Sequence, residues 1–206
     1  MKKSILVALS LAFTLVAGTA LGADWYIKFS GGANLPTMDS KMQFADGDAW
    51  NMEDYSGVGG VEGHMTIQSG KYEFSYVLQY YIGEKSDGSI TIDGTSYDET
   101  DGELSFFNEL IDVGYYVFDE PILGGVTGVV GIGKGTSRIA VNRKLAGTTQ
   151  NEAALYAKVL HYHASFYYEL TEMFFLKGTY RSLSINAIEQ DSFSNSTFTV
   201  LAGLMF

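Results

Sequence analysis

The last eleven residues, Ser196 to Phe206, read S-T-F-T-V-L-A-G-L-M-F and limit the fold more than any other stretch of the chain. Counting back in steps of two, Phe206, Leu204, Ala202, Val200 and Phe198 share one face, while Met205, Gly203, Leu201, Thr199 and Thr197 share the other. A period of two is the signature of a strand. The first face is wholly apolar, and an exposed apolar edge strand invites aggregation in water. A closed barrel in a membrane removes the edge and covers the apolar face with lipid.

The amino terminus is consistent with export. Lys2 and Lys3 precede an apolar run from Ile5 to Val16, and small residues follow as far as Ala20-Leu21-Gly22. That is the three-part pattern of a secretory signal peptide, predicted to be cleaved after Gly22, with Ala23 the close alternative. The run is shorter than the roughly 20 apolar residues of a membrane-spanning helix. Loss of residues 1–22 removes two lysines and no acid, leaving 11 basic and 24 acidic residues, a net charge of −13. Nucleic acid is therefore not an expected partner, because a binding face needs clustered positive charge. With no cysteine, the chain has neither a disulfide framework nor a thiolate nucleophile. No later apolar run reaches helical spanning length, so any crossing of a membrane must be made by strands.

Strand-like alternation recurs along the mature sequence. It is predicted over residues 25–33, 57–68, 72–82, 104–118, 122–133, 155–170, 174–185 and 196–206. Residues 72–82 alternate most clearly, with Tyr72, Phe74, Tyr76, Leu78 and Tyr80 opposed to Glu73, Ser75, Val77, Gln79 and Tyr81. Within 104–118 the apolar positions change parity, which predicts a bulge near Asn108 or Glu109. The start of the sixth segment, 150–160, is equally compatible with a helix by propensity. Short turns fall at Ser69-Gly70-Lys71, Asp119-Glu120-Pro121 and Thr171-Glu172-Met173. The other connections, 34–56, 83–102, 134–153 and 186–195, read as polar surface loops, of which only the third is basic. Aromatic residues gather at the two expected rims, Trp25, Tyr72, Phe118, Phe174 and Phe206 at one and Tyr80, Phe106, Tyr156 and Phe198 at the other.

The fold class predicted is thus all-β, an eight-stranded antiparallel up-and-down transmembrane barrel over residues 23–206. Short turns on the periplasmic side, long loops outside and an even strand number are the pattern of bacterial outer-membrane barrels. The chain resembles the OmpA/OmpX-type family, opacity-like surface proteins included. The resemblance is carried by the signal peptide, the opening W-Y-I-K-F-S-G-G-A, the fourth-strand ending D-V-G-Y-Y-V-F, the fifth strand G-V-T-G-V-V-G-I-G and the terminal V-L-A-G-L-M-F. It implies an outer-membrane location and a terminal signal, Phe198, Val200, Leu204 and Phe206, presented to the barrel-assembly machinery. No peptidoglycan-binding domain is expected after the barrel, and the resemblance does not imply a tethering role.

Several motifs suggest chemistry and fail on context. Gly128 to Gly135 reads G-V-V-G-I-G-K-G, near a phosphate-binding loop, but Gly135 follows Lys134 where serine or threonine is required. His161 and His163 share a strand face, yet no third ligand is identified for zinc. His163-Ala164-Ser165 resembles the His-x-Ser element of outer-membrane lipid A deacylases, but Phe166 stands where that family has asparagine, and alternation turns the pair inward. No cofactor and no metal are expected.

The inward positions make more sense together. Lys28, Glu62, His64, Glu73, Asp112, His161, His163, Lys177 and Arg181 are predicted to form a lumenal polar network, since an eight-stranded barrel is only wide enough for side chains to fill and buried charges must be paired. Arg138, Arg143 and Lys144 are candidates for contact with lipopolysaccharide phosphates. The expected role is envelope structure or surface interaction through the loops, as a monomer in contact with outer-membrane lipid and an extracellular ligand or host surface. The alternatives are a lipid-modifying enzyme and a narrow channel for small or apolar solutes.

Overall fold

The computed structural model describes residues 25–38, 41–43, 49–51, 56–92, 95–118, 125–145, 148–187 and 193–206; the predicted leader and the turn at 119–121 lie outside the described residues. The strands are β1 (Trp25–Met38), β2 (Lys41–Gln43), β3 (Ala49–Asn51), β4 (Ser56–Ser69), β5 (Tyr72–Ile92), β6 (Thr95–Tyr116), β7 (Val126–Leu145), β8 (Thr148–Glu169), β9 (Phe174–Ala187) and β10 (Phe193–Met205). The eight long strands pair antiparallel in the order β5-β4-β1-β10-β9-β8-β7-β6, and β5 pairs again with β6 to close the barrel. Short β2 and β3 pair with each other, and β3 extends the sheet beside β5 through Ala49 and Trp50.

Closure is made by the ends of the chain. β1 and β10 pair from Lys28↔Met205 to Met38↔Asn195. Beyond them, Ile27 and Phe206 exchange both backbone hydrogen bonds, at 3.0 and 2.9 Å, and the Phe29 and Phe206 rings meet edge to face at 6.5 Å. A row of paired residues followed round the wall runs Trp25, Ser69, Tyr72, Tyr115, Val130, Ala164, Tyr180, Phe198 and returns to β1 at Leu35. The row has climbed ten residues, from 25 to 35. With about 3.3 Å per residue and about 4.8 Å between strands, that offset tilts the strands by about 41°. Each residue then rises about 2.5 Å along the barrel axis, and each step to the next strand of a row about 3 Å.

Four predicted loops contain more strand than the sequence indicated. Residues 34–38 continue β1, and β2 and β3 form within 34–56; most of 83–102 pairs in the β5–β6 hairpin; 134–145 and 148–153 extend β7 and β8; 193–195 begin β10. Backbone pairing, which needs no alternation of side chains, carries these arms past the apolar wall. The start of the sixth segment is strand; among the described residues the fifth begins at Val126, and 122–124 of its expected span lie outside them. No bulge occurs at Asn108 or Glu109: Leu104, Phe106, Asn108, Leu110 and Asp112 all point inward, and the irregularity lies between Thr100 and Glu103. The parity changed because the outer part of the interior is itself apolar. Phe106 accordingly leaves the expected rim for the interior, and Phe107 takes the outward place.

Candidate functional site

The wall turns its apolar side chains out. Ile27, Phe29, Leu78, Tyr80, Ile111, Val113, Val130, Ile132, Tyr162, Phe166, Leu176, Phe198 and Val200 are all 40% or more exposed. An outward apolar band around a closed, buried interior is the arrangement that lipid covers and water does not. The tilt and the ten-residue offset stack the interior in three layers.

The layer nearest the short turns is an aromatic plug. Tyr116, Val129, Tyr167 and Phe175 cluster there, with Met205 against them. The Lys28 ammonium lies 4.5 Å from the centroid of Tyr167, 5.3 Å from that of Tyr116 and 5.8 Å from that of Phe175, and donates to the Tyr116 hydroxyl at 2.8 Å. Glu73 accepts from the hydroxyls of Tyr167, at 2.8 Å, and Tyr116, at 3.2 Å, and pairs with Lys177 at 3.7 Å. Such contacts replace the water that each charge loses on burial.

The middle layer centres on Arg181. Its guanidinium binds both oxygens of Asp112, at 2.9 and 3.1 Å, and reaches Glu62 at 3.5 Å. Glu62 also accepts from Gln79 and Thr199, each at 2.8 Å, and meets His64 Nε2. Lys177 donates to His64 Nδ1 at 3.3 Å, so the neutral ring carries its proton on Nε2, facing Glu62. His161 Nε2 meets Asp112, and His163 Nε2 lies 3.7 Å from it. Gln79 joins the layers, donating to Thr197 at 3.0 Å and accepting from Asn108 at 2.7 Å. Three carboxylates and three cations thus balance in a space where an unpaired charge is costly.

Above lies an apolar cap of Leu104, Phe106, Ile139, Ala157, Val159, Leu183 and Ile185, each 4% exposed or less. Tyr81 stacks on Phe106 at 4.8 Å and accepts from Asn195 at 3.0 Å. The β7 glycines make room for the network. A Cβ on Gly133 would collide with the Ile111 carbonyl, His161 and Asp112, and one on Gly131 with His163 and the Val113 carbonyl. The near-phosphate-loop sequence is thus a lining that admits two imidazoles.

All nine candidate lumenal residues have their side chains buried inside the barrel. The partners that sequence reasoning missed are Gln79, Thr197, Thr199, Asn108, Tyr116 and Tyr167. Strand parity marks each as inward, but only position round the barrel says which groups meet. His163 Nδ1 lies 3.2 Å from Ser165 Oγ, so serine, histidine and Asp112 form a line that superficially suggests acyl transfer. Ser165 also shares a hydrogen bond with Thr179 at 3.0 Å, and all three triad-like residues are buried, so the hydroxyl faces packed side chains. Among the described residues no group of three or more histidine and acidic side chains has the geometry of a metal site. Arg138 is exposed on the outer wall; the side chains of Arg143 and Lys144 lie outside the described residues. Phe198, Val200 and Phe206 are exposed on the wall, and Leu204 shares their face. A groove of about 630 Å³ also lies on that wall, floored by Gly31, Gly63 and Ala202 and walled by Phe29, Met65, Leu78, Phe174 and Leu176.

A closed eight-stranded antiparallel barrel with an apolar outside and a polar, side-chain-filled inside is the fold of the small bacterial outer-membrane barrels. No protein-family model matches the sequence. No curated protein matches it either. Solved structures do. The outer-membrane protein OprG of Pseudomonas aeruginosa is similar with a TM-score of 0.58 at 10% identity, over 89% of this chain and 97% of that one. Neisserial surface protein A gives 0.50 at 13% identity, over 90% of this chain and 99% of that one. Ail, the attachment invasion locus protein of Yersinia pestis, gives 0.50 at 11%, over 89% and 99%. At these identities the likeness is one of fold, and at that level the resemblance to OmpA/OmpX-type barrels is borne out.

Proposed function

We propose that the chain is a non-enzymatic integral outer-membrane barrel that serves envelope structure or surface interaction through the hairpins β5–β6 and β7–β8. The observation that carries this reading is an interior filled by an aromatic plug, an ion-pair layer and an apolar cap. Such an interior argues against both conduction and catalysis at Ser165, and leaves the hairpins that rise past the apolar band as the part free to recognise a partner. Outer-membrane lipid surrounds the wall, and the assembly machinery reads the terminal strand. That proteins of this fold include a surface protein and an attachment protein is a fold-level analogy only.

The test is to shorten each hairpin by paired deletions above the belt, within 86–100 and 141–152, and to measure cell attachment and envelope integrity. Loss of either property with the barrel still folded supports the reading. Ion conductance by the wild-type protein in planar bilayers, or altered lipid A in cells expressing it, sinks it.

A further inference from the structure

Among the described residues, the outer wall carries a cationic patch that the interior network does not use. Along β7 the outward side chains run Val130, Ile132, Lys134, Thr136 and Arg138; along β8, read towards the same rim, they run Tyr162, Leu160, Lys158 and Tyr156. The apolar stripes of both strands end within one step of each other. Lys158 pairs across from Thr136, and Lys134 and Arg138 flank that threonine on the same face. Directly opposed side chains on a sheet face lie about 5 Å apart at Cβ and diagonal ones about 7–8 Å. All three cations are exposed, and none has a carboxylate partner among the described residues. The nearest acid on the pairing map is Glu109, opposite Thr136 on β6, and its carboxylate accepts from Tyr76 on the side away from β7. From the rise per residue and per strand, Lys134 lies roughly level with Leu35 and Val61 near the top of the apolar band, and Lys158 and Arg138 about 8–10 Å higher.

We propose that Lys134, Arg138 and Lys158 form a binding site for the phosphates of an outer-leaflet phosphoglycolipid of the lipid A class. The inference rests on the reading of the chain as an outer-membrane barrel with its long hairpins outside. Three long cationic side chains at the band's edge, with Glu109 diagonal to two of them but no carboxylate in ion-pair contact among the described residues, repel one another until an anion joins them. A phosphate carried at headgroup depth supplies several acceptor oxygens at that level, while its acyl chains lie along Val130, Ile132 and Leu160. A guanidinium and two ammonium groups also suit a lipid with more than one phosphate better than a singly charged headgroup. The exposed rings of Tyr156 and Tyr162, one on each side of Lys158 and Leu160, sit where amphipathic aromatics mark the interface.

The test uses the full mature protein in nanodiscs, titrated with lipid A and read by the lipid retained through purification and by the shift in unfolding temperature. Binding to bisphosphorylated lipid A is expected to weaken about tenfold or more in K134Q/R138Q/K158Q, as charge-assisted bonds are lost, and to persist in K134R/K158R. Dephosphorylated lipid A is expected to bind the wild type no better than the triple variant does. Equal retention by wild type and triple variant, or indifference to dephosphorylation, overturns the site; an equal response to phosphatidylglycerol overturns the glycolipid assignment. Both proteins must migrate as heat-modifiable barrels, which keeps misfolding apart from lost binding. An epitope inserted at 146–147 and probed on intact cells tests the orientation separately: exposure supports it, and inaccessibility overturns the underlying reading whatever the nanodiscs report.

Discussion

At Arg181 a single side chain holds two carboxylates that otherwise repel each other. Replacing one member of a buried pair strands the others, which costs about 3–5 kcal/mol. Arg181→Met is therefore expected to lower the stability of the vesicle-inserted barrel by that order, measured by urea unfolding, whereas the Glu62→Gln and Arg181→Gln pair should be coupled by at least about 1 kcal/mol in a double-mutant cycle. Additive effects would show that the 3.5 Å contact between them carries nothing. Ser165 makes the opposite case. Its bonds to His163 and Thr179 are neutral and lateral, so Ser165→Ala should cost only about 1 kcal/mol and leave lipid A unchanged by mass spectrometry. The parity of these residues was legible in the sequence, but their pairing was not. Glu62 and Arg181 are 119 positions apart and meet only because a row climbs ten residues round the wall.

Among the elements, β7 is the one whose composition the interior dictates. Gly131 and Gly133 face imidazoles, and a side chain at Gly133 would displace His161 and Asp112 together. Gly133→Val is expected to abolish the heat-modifiable folded band, or to cost at least the about 1–3 kcal/mol of an overpacked core. Gly178→Val, on β9, meets no atom within 4 Å and should leave the band intact. If both variants fold equally well, the lining of β7 is not what limits the network. The lengths of the elements were read less well than their number. Strands with one face in lipid declare themselves by alternation, as residues 72–82 do. The arms of the β5–β6 hairpin beyond them are polar and glycine-rich, and are held by backbone pairing that leaves no periodic trace. Leu104 and Phe106 misled for a related reason: the rule of polar inside and apolar outside holds in the belt and fails in the cap.

For the molecule as a whole, the wall and the interior obey opposite rules across one backbone. A cation placed on the lipid face near mid-height should be costly where an inward cation is tolerated. Val200→Arg is expected to destabilise the inserted barrel by about 2–4 kcal/mol, measured by the same urea titration, while Ser196→Arg, four residues nearer the rim on the same face, should cost much less. Equal costs would mean that the lipid boundary lies elsewhere than the exposed apolar band. The ten-residue climb of the seam has a further consequence, for the order of events as the chain folds. Glu62 lies in the second barrel strand, yet its partners Arg181 and Thr199 come from the last two. Until the carboxy-terminal strands dock, Glu62 has only its neutral neighbours Gln79 and His64 beside it and lacks the Arg181 guanidinium. Insertion hairpin by hairpin would leave that carboxylate in lipid without its cation, so the early strands are expected to stay in contact with water or with a helper until Phe206 reaches Ile27 and the interior is completed as the wall closes.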